Sequence, residues 1–140
     1  MDSFINGAFY GWSGESLFKL GHNQYWIQAR YAYRYRYSYR PKARIVEEGG
    51  TYYLEVEGMN DRINVRRVRD VIESQIDDAF EGWSGDTKFK LANGQVWQQD
   101  EYNYMYHYAY RPNVIVYASQ SGYRIKVDGV QQSIRVKRIQ

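Results

Sequence analysis

Tyr31-Ala32-Tyr33-Arg34-Tyr35-Arg36-Tyr37-Ser38-Tyr39-Arg40-Pro41 decides the fold, because its pattern returns as Tyr102-Asn103-Tyr104-Met105-Tyr106-His107-Tyr108-Ala109-Tyr110-Arg111-Pro112. Strict period-two alternation marks a β-strand with two chemically different faces. Proline ends each run, since it donates no ladder hydrogen bond. Fully extended, nine such residues span roughly 26–30 Å, longer than a usual strand. The run is therefore expected to bend or bulge and to serve two sheets.

Working outward, the whole chain proves to be duplicated. Shifting it by 71 residues aligns Ser3–Arg69 with Ser74–Gln140 without a gap, and 27 of the 67 paired positions are identical. Phe9-x-Gly11-Trp12-Ser13-Gly14 matches Phe80-x-Gly82-Trp83-Ser84-Gly85, and Gln24-x-Trp26-x-Gln28 matches Gln95-x-Trp97-x-Gln99. Phe18-Lys19-Leu20 matches Phe89-Lys90-Leu91, and Ile63-x-Val65-x-Arg67 matches Ile134-x-Val136-x-Arg138. Two β modules follow, residues 1–70 and 71–140. A position kept in both copies is demanded by the module. A position that differs is free to drift.

Within the second copy, Thr87–Leu91 and Val96–Gln99 flank Ala92-Asn93-Gly94-Gln95, where Asn-Gly signals a type I′ hairpin turn. Tyr102–Tyr110, Val114–Ala118, Tyr123–Val127 and Ile134–Ile139 complete a set of short strands, and Val68–Ile76 leaves room for one helical turn. Five or six strands per module predict an all-β chain of two tandem SH3-like barrels, with OB-like barrels or one fused β-sandwich as alternatives. Modules this small are marginal alone. They are expected to lie side by side on a shared, partly tyrosine interface, related by a pseudo-twofold or a screw.

Composition narrows the function classes. The 140 residues are 44% hydrophobic and 25% charged, which is globular rather than disordered. Sixteen tyrosines against two prolines favour strands with partly wet faces. The absence of cysteine excludes disulfides and thiolate metal sites and fits a reducing cytoplasm. No run approaches the apolar length of a membrane span, and the first residues lack a basic and apolar secretory pattern. A net charge of +3 and a pI near 9.0 are too mild for a nucleic-acid-binding tail. A soluble, cytoplasmic protein is expected.

Three candidate sites can be read from these residues. Trp12 with Trp26, and Trp83 with Trp97, could line aromatic pockets for sugars, proline-rich peptides or methylated cations. The simpler reading makes these tryptophans core residues that close the barrel, with the paired glycines allowing close backbone approach. Tyr33, Tyr35, Tyr104 and Tyr106 head the aromatic ladders as ligand-binding candidates. Opposite them, Arg30, Arg34, Arg36 and Arg40 form a candidate anion-binding face, which with stacking tyrosines would suit single-stranded nucleic acid. The second copy replaces most of those cations, so the favoured expectation is that the tyrosines pack the module while the arginines solvate its exterior. The first copy is also the more basic, net +5 against +1.

No catalytic residues emerge. His22 and His107 fall opposite Asn93 and Arg36, outside the shared scaffold. Glu15 and Asp86 follow Trp-Ser-Gly in both copies, where a carboxylate is expected to cap a turn. There is no phosphate loop, metal spacing or nucleophile elbow, so neither catalysis nor a cofactor nor a metal is expected.

Phe80-x-Gly82-Trp83-x-Gly85-x-Thr87-x-Phe89-x-Leu91-x-Asn93-Gly94-Gln95-x-Trp97-x-Gln99, with the tyrosine ladder and Arg111-Pro112, resembles small uncharacterised bacterial proteins and lipoproteins that carry this Asn-Gly-Gln-x-Trp pattern singly or in tandem. The resemblance covers nearly the whole second copy, while the first departs at Gly21-His22-Asn23. It implies a module and brings no functional residue with it. The function expected from the sequence is a non-catalytic interaction module that binds a protein or peptide, or itself, through aromatic rims. Nucleic-acid binding along Arg30–Arg40 and carbohydrate binding at the Trp/Tyr pockets are the alternatives.

Overall fold

A computed structural model describes residues 2–140, all strand, turn and loop apart from one irregular turn at Gly21–Asn23. The chain is all-β. It divides into two compact units, Met1–Arg69 and Asp70–Gln140.

In the first unit the strands are β1 (Asp2–Phe4), β2 (Ala8–Ser13), β3 (Leu17–Leu20), β4 (Gln24–Gln28), β5 (Tyr33–Tyr39), β6 (Lys42–Glu48), β7 (Thr51–Val56) and β8 (Ile63–Val68). Six of them form one antiparallel sheet in the order β1-β6-β7-β8-β4-β3. Its two edges meet where Ile5 bridges Leu20 and the Asn6 amide donates to the Lys19 carbonyl at 2.8 Å, so the sheet closes on itself. The remaining two, β2 and β5, make a separate two-stranded sheet.

The second unit repeats this plan with β9 (Val71–Gln75), β10 (Ala79–Phe80), β11 (Lys88–Lys90), β12 (Val96–Gln99), β13 (Ala109–Tyr110), β14 (Asn113–Ser119), β15 (Gly122–Val127) and β16 (Ile134–Arg138). Its main sheet runs β11-β12-β16-β15-β14-β9 and closes through Ile76 and Leu91. Val71–Gln75 pairs along β14, so the joint holds a strand rather than the expected helical turn.

Alternating strands deliver one apolar set to each core. Leu54, Val56, Ile63 and Val65 gather with Phe9, Trp12, Phe18 and Trp26 in the first unit. Val114, Val116, Ile125, Val127, Ile134 and Val136 gather with Phe80, Trp83, Phe89 and Trp97 in the second.

The turns differ from their signals. At Asn93-Gly94 only the glycine has positive φ, and the Gly94 amide donates to Leu91 at 3.0 Å, so the loop is three residues long rather than a type I′ pair. The first copy, which lacks the Asn-Gly signal, places both His22 and Asn23 in the left-handed region.

Burial of Phe9 and Trp12 fixes how the tyrosine strand faces. These residues are three apart, and a regular strand would send them to opposite sides. Instead the register slips by one residue between the Phe9–Ser38 and Gly11–Tyr35 pairs, with Gly11 at φ +89°. Both large rings then point inward, opposite Ser38 and Arg34, while Ala8 and Ser13 lie opposite Tyr39 and Tyr33. The second unit slips at the same place: Phe80 pairs Ala109, Trp83 bridges Met105, and Gly82 has φ +97°. The irregularity absorbs the mismatch, and the long run does not divide between two sheets.

A Cβ on Gly11 would collide with the Arg34 carbonyl, and one on Gly82 with the Met105 carbonyl, which is main chain and cannot swing aside. Gly82→Ala is expected to cost about 2–4 kcal/mol of unfolding free energy, from left-handed strain and a clash with backbone. Urea unfolding followed by tryptophan emission checks this. A loss below about 1 kcal/mol would show that the close approach is not a constraint.

Candidate functional site

The tyrosine ladders lie on the outside. Tyr31, Tyr33, Tyr35, Tyr37 and Tyr39 are 54–77% exposed, and Tyr102, Tyr104, Tyr106, Tyr108 and Tyr110 are 57–92% exposed. This reverses the expectation that the tyrosines pack the module. The inward positions are the intervening ones: Ala32 packs on the first core, and Met105 and Ala109 pack on the second. Tyrosine tolerates either face, so the slip at Gly11 and Gly82, rather than the hydrophobicity of the ladder, selects the outward one.

A buried glutamine mounts the foot of each ladder. Gln28 accepts from the Gly14 amide at 2.9 Å and donates through Nε2 to the carbonyls of Arg30 (3.0 Å) and Ala32 (2.9 Å). Gln99 accepts from Gly85 at 2.8 Å and donates to Glu101 (3.0 Å) and Asn103 (2.9 Å). One side chain thus ties the Trp-Ser-Gly turn to the first residues of the ladder. The matching Gln28 and Gln99 were visible as an identity between copies, but nothing in the sequence showed their role. The turn itself is capped by hydroxyls: Ser16 Oγ accepts from the Ser13 amide and Thr87 Oγ1 from the Ser84 amide, each at 2.9 Å.

In the first unit Tyr33–Tyr39 of the ladder is a continuous strand, paired among the described residues with β2 alone. In the second, Tyr102–Tyr108 is held by Gln99, by the Trp83–Met105 bridge and by Ala109–Tyr110, so the predicted strand is present only at its end. There Glu101 accepts from the Arg135 amide (2.8 Å) and from Arg124 Nη2 (3.3 Å), adding a charged anchor at the ladder's foot.

The proposed tryptophan pockets are absent. Trp12, Trp26, Trp83 and Trp97 are only 2–5% exposed. Trp12 and Trp83 sit edge-on to Phe9 and Phe80, and Trp26 and Trp97 lie 5.3 and 5.2 Å from Tyr52 and Tyr123. Desolvating four indoles stabilises two small cores, and no ring surface is left for a ligand.

The arginine face is engaged with its own unit. Arg34 Nη2 lies 2.8 Å from Asp61, the Arg36 guanidinium lies over Gly58, and Arg40 stacks 4.4 Å above the Phe4 ring. Arg30 is exposed at the ladder's foot. Arg40 and Arg111 share a positive φ before a buried proline, which explains their identity as turn residues better than as anion ligands. His107, the counterpart of Arg36, occupies the same place across Gly129 and packs 6.5 Å from Phe80. His22 is an exposed turn residue.

A groove of about 620 Å³ in the first unit is bordered by Arg44, Glu55, Asp61 and Arg62. These four charges are all paired: Arg44 with Glu55 at 2.8 Å, Asp61 with Arg34 at 2.8 Å, and Arg62 with Glu48, whose carboxyl that hydrogen bond holds below its ordinary range. The second copy places Ile115, Lys126 and Ser133 at three of these positions. Among the described residues no His, Asp and Glu cluster could hold a metal ion, and no helix is long and apolar enough to cross a membrane.

Comparison with protein-family models, curated proteins and solved structures returned no significant match.

Replacing Gln99 by Leu would strand the Gly85 amide and two ladder carbonyls. It is expected to cost about 2–4 kcal/mol and to accelerate hydrogen exchange first in residues 102–108. Gln99→Glu keeps the acceptor but loses both donors, and should loosen the same segment. Unchanged exchange in that segment would refute the mounting role.

Proposed function

We propose that the chain is a non-catalytic interaction module whose two tyrosine ladders bind a protein or peptide partner. The observation that carries this reading combines identity with exposure. All ten ladder tyrosines are kept between copies, yet all ten face solvent. Core packing accounts for the shared phenylalanines and tryptophans and cannot account for these. Within each unit five solvent-facing rings form an aromatic surface at or above the size that monomers ordinarily leave uncovered.

The surroundings of the ladder favour a protein partner over the other ligands. Tyrosine supplies large, rigid, amphipathic contact area at low entropy cost, which suits protein surfaces. Single-stranded nucleic acid needs cations beside the stacking rings, and here Arg34, Arg36 and Arg40 lie over other parts of their own unit. A sugar site needs polar groups converging on the ring faces, and Ala8, Tyr10, Gly11 and Ser13, which lie across from the first ladder, bring no charged or carboxamide side chain there.

The test is a displayed random-peptide library panned on the wild-type chain and on a variant with Tyr33, Tyr35, Tyr37, Tyr104, Tyr106 and Tyr108 replaced by Ser. These positions are solvent-facing, so unfolding free energy should change by less than about 1 kcal/mol per site. Peptides enriched on the wild type should lose at least about tenfold in affinity on the variant, about 1.4 kcal/mol. Equal retention by both proteins would refute the reading.

A further inference from the structure

We propose that the partner of each ladder is the ladder of a second copy of this chain, packed tyrosine face to tyrosine face. This rests on the interaction reading above and names its partner.

Self-complementarity favours this partner. In the first unit, where Tyr33–Tyr39 is a strand, alternate residues stand roughly 6.6–6.8 Å apart, so a row of rings at that spacing offers gaps that match an identical row offset by half a step. No polymer of different period fits every ring at once. A polyproline helix, with a turn of roughly 9.3 Å, falls out of step after one contact. The first unit already shows how a tyrosine seats against the ladder: the Tyr10 ring lies 5.5 Å from Tyr37 at an interplanar angle of 55°. The second unit has Glu81 at that place, leaving Tyr108 without such a neighbour ring.

The exposed area of one ladder is also sufficient. Each ladder has five tyrosines more than half exposed. At about 150–250 Å² per ring this is roughly 500–800 Å² of contact surface. A stable interface takes about 800 Å² from each partner, so one ladder reaches the lower part of that class. Two ladders per chain raise the valence, and avidity then strengthens assembly without new contacts.

Charge does not oppose the contact. The chain carries +3, and like charges would resist a symmetric contact. The face of the first ladder carries none, because Arg34 and Arg36 alternate with its tyrosines and turn to the other side of the strand, while the face of the second ladder has an anion, Glu81, in the place of Tyr10. An isologous contact through this face brings no cation against its twin.

Sedimentation equilibrium of the full chain over about 1–500 µM tests the proposal, a range chosen for an interface at the lower end of the standard size. The weight-average mass should start near 16.7 kDa and rise with concentration. Tyr33→Ser/Tyr35→Ser/Tyr37→Ser should weaken association at least about tenfold, and adding Tyr104→Ser/Tyr106→Ser/Tyr108→Ser should leave a monomer throughout. A single charged substitution, Tyr35→Arg, should weaken association without altering the circular dichroism spectrum. It covers the case in which a serine variant misfolds. A wild-type chain that stays monomeric at every concentration overturns the proposal, as does association that survives in the folded six-serine variant. If the monomeric wild type still retains ladder-dependent peptides, self-pairing fails and the interaction reading stands. If it retains none, both fail.

Discussion

One close approach of backbone to backbone governs each module. Gly11 and Gly82 sit at left-handed φ against the carbonyls of Arg34 and Met105, where no side chain fits. That approach lets Phe9 and Trp12, or Phe80 and Trp83, both enter the core despite their odd spacing. With those rings inside, the neighbouring strand can turn only its alternate residues inward, and its tyrosines must face water. The exposed aromatic surface is thus a consequence of core packing by the adjacent strand.

The second requirement is that the exposed run stay ordered without a sheet beneath it. Gln28 and Gln99 meet this by gripping main-chain carbonyls from inside the module, where a satisfied amide costs little and an unsatisfied carbonyl costs more. The second unit depends on its clamp more, since Tyr102–Tyr108 has only one bridge to β-structure. Glu101, held by Arg124 and the Arg135 amide, adds to it there.

Much of the architecture was legible from residue order. An apolar run marked Val114–Ala118, and alternation marked Tyr123–Val127 and Ile134–Ile139; these correspond to Asn113–Ser119, Gly122–Val127 and Ile134–Arg138. The all-β class followed from the same signals. The direction of the ladders was not legible, because tyrosine is at home in either environment and the arginine-rich first copy made the opposite face look like the wet one. The clamp was hidden for another reason: a glutamine in a strand reads as surface unless the carbonyls it reaches are known. Trp12 and Trp26 offered a pocket on paper because spacing does not show that Phe9 and Tyr52 already cover them. The tyrosine identities, first assigned to the fold, mark the surface instead.

The glutamine clamp also bears on how such a chain can change over time. It reads only carbonyl oxygens, so it is indifferent to the side chains at the residues it holds. Arg30 and Ala32 in one copy stand where Glu101 and Asn103 stand in the other, and the grip has the same lengths to within about 0.1 Å. Charge behind the aromatic front is therefore an adjustable setting, and after duplication the two halves could diverge in sign at the ladder's base without either losing its shape.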